Sequence, residues 1–439
     1  MTRRWALALS ALSVLSVTAC EESFVDEVGV EGTSAFERYV AIGTSISMGV
    51  QGAGVYYAGQ VNSWPSLVAD AAYADFDLPL IEAPGCGAPF IAPLQFFRRL
   101  DASSAAAPNA VCAENYASVS LPENNVAVDG STTYQALHTA PDDYPEKELI
   151  ARVLPAGQTQ VTAMAAQDPT FVTVELGANE VLRAALGGIL LPASGYDPDS
   201  GALGQVTGLP VQGTFMPYAI WAPVYDEVID AVVATGARAA LVTVPQTTSI
   251  VSLRTGAELW ADRAALQARG VILNADCGAA AADNLIFVPR KILNAIGAAS
   301  ATGTPQNVSC ADVPQTGDNV LSVAEAAALS AVIDQMNEHI VETAATHGFA
   351  LVDANEILGF IMDNRPAFSA ARLMSCSYPF GQFISLDGVH PSTEGHRLVA
   401  FGSADAGGVD GVTDVVNAHY GFSLEQHDVA VIDPNLVCN

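Results

Sequence analysis

A serine near the start of the chain lies where an apolar segment runs into a turn. Residues 39–42 are apolar, and the segment 42–49 reads IGTSISMG, with Ser45 at its centre. A serine at a strand-to-helix junction projects from the carboxyl edge of a sheet, where α/β proteins bind ligands. Its backbone N–H would lie at a helix N-terminus, which stabilises developing negative charge. Taken alone, such a serine is more often only a helix N-cap.

An aspartate and a histidine stand three residues apart near the other end of the chain. Residues 383–391 read FISLDGVHP and contain Asp387 and His390. One turn can bring the carboxylate back to the imidazole Nδ1–H, which fixes the tautomer and leaves Nε2 free to accept a proton from a hydroxyl. A surface turn with an isolated histidine is the alternative.

Two other segments carry groups that could stabilise an oxyanion. Residues 174–180 read VELGANE and place the Asn179 amide two residues after a glycine. Residues 125–132 read NVAVDGST and lead to Gly130, whose backbone N–H can approach a ligand closely because glycine has no side chain. Each segment by itself is more often a structural turn.

The elements that would position these residues alternate along the chain. A helix is expected over 323–347, because Ser322 and Glu325 can form a capping box at its start and Gly348 is suited to end it. A second helix is expected over 218–235. Continuous apolar runs are typical of parallel strands covered on both faces, so the pattern predicts an α/β/α layered domain. The runs lie at 39–42, 171–176, 239–244 and 349–352.

The four motifs occur in the order Ser45, Gly130, Asn179 and Asp387–His390, and together they resemble the SGNH/GDSL hydrolase superfamily. The most specific part is residues 385–396, SLDGVHPSTEGH, and the resemblance covers about residues 38–405. It implies a three-layer, flavodoxin-like fold with a mostly parallel sheet, and ester hydrolysis through an acyl-enzyme. It also implies no metal and no organic cofactor.

The resemblance implies a role for each motif residue. Ser45 would be the nucleophile, His390 the general base and later the acid, and Asp387 the residue that orients His390. The oxyanion hole would consist of the backbone N–H groups of Ser45 and Gly130 with the side-chain amide of Asn179.

The sequence departs from the family pattern at two positions. Thr44 stands where the family usually has an aspartate before the serine, and Glu180 stands where aspartate is usual in the third motif. Threonine keeps a hydroxyl but supplies no carboxylate. Neither change removes a residue of the proposed triad or oxyanion hole, so activity is still expected.

The N-terminal residues resemble a bacterial lipoprotein signal. Arg3 and Arg4 precede a short apolar run, and the stretch closes with VTAC at Cys20. We therefore expect residues 1–19 to be a signal peptide, Cys20 to be lipidated, and residues 20–36 to form an acidic tether. An ordinary secretory signal is the alternative. The lipid would hold the protein at a membrane of the bacterial cell envelope.

Charge restricts the partners of the chain. The 439 residues contain 17 Lys and Arg against 47 Asp and Glu, a net charge of −30, with a mean hydropathy of +0.31. Such acidity repels phosphate backbones and excludes nucleic acid as a partner. Removing residues 1–19 leaves 15 basic residues against 47 acidic ones, a net charge of −32.

Cysteine usage fits an exported protein. Six cysteines remain after Cys20, an even number that suggests disulfides. Six cysteines allow 15 pairings, of which we expect the sequential one. The pairs would be Cys86–Cys112, Cys277–Cys310 and Cys376–Cys438.

We expect residues 37–439 to form one domain with insertions near 84–122 and 251–320. The predicted function is a serine-dependent carboxylic ester hydrolase, an esterase or lipase that acts on a small-molecule or lipid ester. Two alternatives remain open: an O-acyl carbohydrate esterase of the same fold, and an envelope lipoprotein that binds acyl ligands without turnover.

Overall fold

A computed structural model describes residues 33–105, 109–143, 147–198, 200–204, 213–314, 316–374, 378–404 and 408–427 of the protein. The four expected strands are present, each within two residues of its expected bounds. The strands, in chain order, are β1 (Tyr39–Ile42), β2 (Phe171–Val174), β3 (Arg238–Val242), β4 (Leu253–Thr255), β5 (Val271–Leu273), β6 (Leu285–Phe287), β7 (Gln306–Val308), β8 (Val320–Leu321) and β9 (Ala350–Val352).

The central sheet is parallel, with the strand order β1-β2-β3-β9. Residues 124–128 run beside the free edge of β1. Ala41 N–H donates to Asn124 O at 3.0 Å, and Val126 N–H donates to Ala41 O at 3.0 Å. The order from edge to edge therefore matches a flavodoxin-like sheet, whose carboxyl ends share one edge.

The two longest helices have the bounds expected from the sequence, 218–235 and 323–347, and the Ser322–Glu325 capping box is formed. The helices are α1 (Ser45–Met48), α2 (Tyr57–Gln60), α3 (Trp64–Ala71), α4 (Thr133–His138), α5 (Glu148–Val153), α6 (Gln160–Ala165), α7 (Asn179–Gly187), α8 (Tyr218–Thr235), α9 (Gly256–Ala261), α10 (Arg263–Ala268), α11 (Val288–Thr302), α12 (Val323–His347), α13 (Ala354–Asp363), α14 (Ala370–Leu373), α15 (Thr393–Phe401) and α16 (Val412–Tyr420).

Successive strand residues point to opposite faces of the sheet and enter two separate cores. Val40 and Ile42 pack with α6, α8 and α12 on one face. Tyr39 and Ala41 pack with α3, α13, α15 and α16 on the other. Helices thus cover both faces, which confirms the three-layer α/β/α fold.

Residues 251–320 contain structure that the sequence patterns did not predict. Strands β4, β6 and β8 form an antiparallel sheet, and β5 and β7 form a separate parallel pair. This segment touches the loop that carries His390, because a Cβ on Gly388 would lie 2.7 Å from the Cβ of Ser252 and 3.0 Å from the Cγ of Pro289. The division into one domain with insertions stays a prediction.

Two of the expected disulfides are present, Cys86–Cys112 and Cys277–Cys310. Cys376 and Cys438 lie outside the described residues, as do residues 1–19 and Cys20. The expected tether needs one correction at its end. Phe36 is fully buried and stacks on Phe171 at 4.2 Å between ring centroids, so it belongs to the packed core.

Among the described residues, none of the helices combines the length and the apolarity needed to span a bilayer.

Candidate active site

Ser45 is the first residue of α1, two residues beyond the turn's start at the end of β1, and it is buried. The turn before it is held by a carboxylate that the sequence patterns did not single out. The Glu175 carboxylate accepts hydrogen bonds from Thr44 N–H at 3.0 Å and from the Thr44 hydroxyl at 2.8 Å, as well as from the Ser47 hydroxyl at 2.9 Å. Burial raises the pKa of Glu175, and these donors partly oppose that rise.

This contact explains how the chain accommodates threonine at position 44. The carboxylate acceptor that threonine lacks comes from Glu175, which follows β2, the strand next to β1. Thr44 acts as the donor in this pair, so the serine turn keeps a buried carboxylate beneath it.

Asp387 and His390 form a hydrogen-bonded pair in the loop before α15. His390 Nδ1 lies 2.8 Å from Asp387 Oδ2. The same carboxylate accepts the backbone N–H of His390 at 2.9 Å and that of Ala53 at 2.6 Å. These contacts fix the carboxylate against the imidazole and leave Nε2 free of it, which suits a general base.

Pairing shifts the pKa of each partner in the direction that favours its ionised form. Burial raises the pKa of the Asp387 carboxyl, but His390 and the backbone donors outweigh burial, and the net shift is downward. Burial lowers the pKa of His390, but the carboxylates of Asp387, Asp129 and Glu175 outweigh it, and the net shift is upward. The His390 side chain is 15% exposed, so substrate can reach it.

Ser45, His390 and Asn179 line one pocket of about 120 Å³. No hydrogen bond joins Ser45 to His390 in the described part of the chain; such contacts are commonly long in a free enzyme and shorten when substrate binds. The rest of the wall is mainly apolar and includes Trp64, Val242, Pro245, Ile357, Ile361 and Ile384.

Asn179, the first residue of α7, is tied to the Ser45 turn through a buried glutamine. Its amide donates one hydrogen to Ser131 O at 2.9 Å, which leaves the second hydrogen for a ligand. Gln160 donates to the Ser131 hydroxyl at 3.0 Å and accepts the N–H of Gly43 at 3.0 Å. The two proposed oxyanion segments and the serine turn thus share one network.

Gly130 lies in an adjoining cleft that shares Asn179 and Leu182 with the apolar pocket. Its φ of +69° favours glycine. The carbonyl of the peptide that supplies its N–H, Asp129 O, accepts a hydrogen bond from Lys147 Nζ at 2.6 Å. Burial lowers the pKa of Lys147, and the nearby Asp129 partly offsets it.

Two other residues noted in the motifs are structural. Glu180 is buried and accepts hydrogen bonds from Thr133 N–H at 2.6 Å and from the Tyr196 hydroxyl at 3.0 Å, so it fixes the start of α4. Burial raises its pKa. His396 is buried in α15, and burial lowers its pKa to about 3, so it is neutral at pH 7.

The sequence motifs did not include Glu175, Gln160 or Lys147 as functional candidates. Glu175 was within the VELGANE motif, and a charged residue in a continuous apolar strand was the available signal. Gln160 and Lys147 carry no comparable signal in the sequence. Among the described residues, no group of three or more His, Cys, Asp or Glu side chains is arranged to hold a metal ion.

No protein-family model matches the chain, and the comparison with curated proteins finds no relative. The structure is similar to those of two variants of Axe2, described as an acetyl-xylooligosaccharide esterase from Geobacillus Stearmophilus. Each has 12% sequence identity and a TM-score of 0.32, and the alignment covers 83% of this chain and 90% of that chain.

Proposed function

We propose that the protein is a serine-dependent carboxylic ester hydrolase of the SGNH/GDSL type. The observation that carries the proposal is that His390, which is hydrogen-bonded to Asp387, lines the same pocket as Ser45. A surface histidine would need neither a buried carboxylate partner nor a neighbouring serine at a strand end. This combination instead suits activation of a hydroxyl nucleophile.

In the proposed reaction, Ser45 Oγ attacks the ester carbonyl carbon while His390 Nε2 accepts the hydroxyl proton. The negative charge on the carbonyl oxygen is stabilised by the N–H groups of Ser45 and Gly130 and by the Asn179 amide. Collapse of the tetrahedral intermediate breaks the bond to the alcohol oxygen, which takes the proton from His390. Water then attacks the acyl-enzyme with His390 as base, which releases the acid and restores Ser45.

The apolar pocket supports a short acyl chain. Its volume of about 120 Å³ is slightly smaller than the roughly 150 Å³ of an engineered apolar cavity that binds benzene. Chains of a few carbons would fit, whereas long chains would have to extend into solvent. A series of p-nitrophenyl esters with two to twelve carbons tests this, with the highest kcat/KM expected near four. A maximum at ten or more carbons would contradict it.

An O-acyl carbohydrate is the second candidate substrate, because the cleft beside Asn179 has a volume of about 750 Å³, within the usual range for small-molecule sites. Release of acetate from acetylated oligosaccharides, compared with hydrolysis of simple butyrate esters, separates the two candidates.

The catalytic role of Ser45 is tested by Ser45→Ala. Hydrolysis of p-nitrophenyl butyrate should fall to background, while the melting temperature stays close to that of the unmodified protein. Ser300→Ala, the same change at an exposed position of α11, is the matched control and should keep full activity. Activity that survives in Ser45→Ala would exclude Ser45 as the nucleophile.

A fluorophosphonate probe separates an enzyme from a protein that only binds acyl ligands. The Ser45 oxygen would displace fluoride and form a covalent adduct that peptide mass spectrometry locates. An unlabelled Ser45 would favour the non-catalytic alternative.

We also propose that Cys20 is lipidated and anchors the protein in the bacterial cell envelope. The support is the order of positive residues, apolar run and cysteine in residues 1–20. Metabolic labelling with an alkynyl fatty acid should mark the unmodified protein but not Cys20→Ser. Equal labelling of both would refute the proposal.

A further inference from the structure

A tight turn shortly after α1 has an unusual backbone conformation. Gln51 N–H donates to Gly54 O at 3.0 Å, and Gly54 N–H donates to Gln51 O at 3.2 Å, so Gly52 and Ala53 form a two-residue turn. Both central residues have a φ of +59°, in the left-handed region that type I′ turns use. Glycine adopts this region without strain, whereas alanine adopts it at a cost. Strained residues of this kind are concentrated at functional sites.

The turn directs two consecutive N–H groups at the loop that carries His390. Gly52 N–H donates to the Ser385 hydroxyl at 3.1 Å, and Ala53 N–H donates to Asp387 Oδ2 at 2.6 Å. This Oδ2 is the same oxygen that lies 2.8 Å from His390 Nδ1. The Asp387 side chain is only 7% exposed, so water weakens this charge-assisted hydrogen bond little.

Segment 84–122 strengthens the Ala53 donor from the other side of its peptide. The carbonyl of that peptide, Gly52 O, accepts the N–H of Phe90 at 2.7 Å. A donor on the carbonyl oxygen polarises a peptide and makes its N–H a better donor. A chain of hydrogen bonds therefore runs from Phe90 through the Gly52–Ala53 peptide to the Asp387 carboxylate.

The same segment also fixes the position of the turn. A Cβ on Gly54 would lie 2.1 Å from Gly87 O, so the two backbones are in direct contact there. The side-chain amide of Asn109 donates to Ala53 O at 3.3 Å. Gly87 and Asn109 both belong to the loop that the Cys86–Cys112 disulfide closes.

We propose that Ala53 is a positioning residue of the hydrolase, and that segment 84–122 supports the catalytic base through it. The inference rests on the proposed hydrolase function. The Ala53 N–H holds Asp387 Oδ2 against His390 Nδ1, where the carboxylate stabilises the imidazolium that forms during the reaction. Because that charge develops only after substrate has bound, the contact should act on kcat more than on KM. The Ala53 side chain is exposed, so the functional group is the backbone N–H.

The test removes this one hydrogen-bond donor from the full chain. Nonsense suppression with lactic acid at position 53 replaces the N–H by an ester oxygen and keeps the methyl side chain. We expect kcat for p-nitrophenyl butyrate to fall by about tenfold, the size of one charge-assisted hydrogen bond, with KM changed by no more than about twofold.

Ala102 provides a matched control within the same segment. It is also an exposed alanine with a positive φ, +65°, and its N–H donates to Arg99 O at 2.9 Å. The ester at position 102 should therefore keep kcat. Equal values of kcat in the two ester variants would overturn the proposal.

Two further variants separate the N–H from a merely structural effect of the turn. Ala53→Gly keeps the N–H and the left-handed conformation, so it should retain kcat; a loss equal to that of the ester would overturn the proposal. In the background of Asp387→Ala the acceptor is absent, and the ester at position 53 should then change kcat by no more than about twofold. A further tenfold loss in that background would also overturn it.

The unmodified protein shows which proposal has failed. If it does not hydrolyse p-nitrophenyl butyrate, the hydrolase function is wrong and this inference falls with it. If it is active and the ester at position 53 leaves kcat unchanged, only the role of Ala53 is wrong.

Discussion

The ammonium group of Lys147 binds the carbonyl oxygen of Asp129 at 2.6 Å. That carbonyl belongs to the peptide whose N–H is on Gly130, a proposed oxyanion donor. A positive charge on the carbonyl side polarises the peptide and strengthens its N–H as a donor. Lys147 is therefore placed to act as a positioning residue for the proposed oxyanion hole without touching the substrate itself.

Lys147→Met should lower kcat for p-nitrophenyl butyrate by about tenfold with a smaller change in KM, because the weakened donor acts mainly in the transition state. Lys291→Met is the matched control, since Lys291 also donates to a backbone carbonyl, at 2.7 Å from Asp318 O. Equal losses of kcat in the two variants would contradict a specific role for Lys147.

Asp387→Asn should lower kcat by on the order of 10³- to 10⁴-fold, because an amide no longer fixes the imidazole tautomer. The acid limb of the pH profile should also move. Since Asp387 contributes to the raised pKa of His390, the limb for the unmodified protein should lie above about pH 6.5, the usual value for histidine. In the variant, burial remains without the ion pair, and the limb should move to lower pH.

The control for Asp387→Asn is a second Asp–His pair. His339 Nε2 lies 2.7 Å from Asp226 Oδ1, between α12 and α8. Asp226→Asn should leave both kcat and the acid limb unchanged. An acid limb that stays in place in Asp387→Asn would exclude His390 as the base.

Local sequence was sufficient to predict part of this site and the layered fold that carries it. Asp387 and His390 are three residues apart in a glycine turn, so one turn brings them together. The strands and the helices at 218–235 and 323–347 show continuous apolar runs or amphipathic spacing, and these patterns predicted the layered fold. The roles of Ser45, Gly130 and Asn179 stay predictions that depend on the resemblance.

The supporting contacts could not be predicted in this way. Thr44 and Glu175 are 131 residues apart, and Gly43 and Gln160 are 117 apart, so only strand order brings each pair together. The strands in 251–320 have two or three residues each, too few to show a period. The cleft beside Asn179 combines α7 with this segment, and no motif in the sequence links the two.

The two described disulfides should contribute similar stability but differ in their effect on activity. Their sequence separations are 26 and 33 residues, so loss of either should lower the free energy of unfolding by about 3–4 kcal/mol on chain-entropy grounds. Urea unfolding of Cys86→Ser/Cys112→Ser and of Cys277→Ser/Cys310→Ser measures this.

Only loss of the Cys86–Cys112 disulfide should also lower kcat. Cys86 N–H donates to Val55 O at 2.9 Å. Ala53, two residues before Val55, donates its N–H to the Asp387 carboxylate. Loosening this segment weakens the support of Asp387. A larger loss of kcat in the Cys277 and Cys310 variant would contradict this account.

Thr44→Asp, which introduces the residue usual in the hydrolases that the sequence resembles, should be harmful in this chain. The new carboxylate would face the buried Glu175, and two adjacent carboxylates cannot both ionise without a large cost. We expect the free energy of unfolding to fall by about 3 kcal/mol, a typical cost of an uncompensated buried charge.

Glu175→Gln in the same chain should recover part of this loss, because the amide can donate to the introduced carboxylate while its oxygen still accepts from Ser47. A double-mutant cycle in urea should therefore show favourable coupling of about 1 kcal/mol or more. Additive effects would mean that residues 44 and 175 are energetically independent, despite the 2.8 Å contact between them.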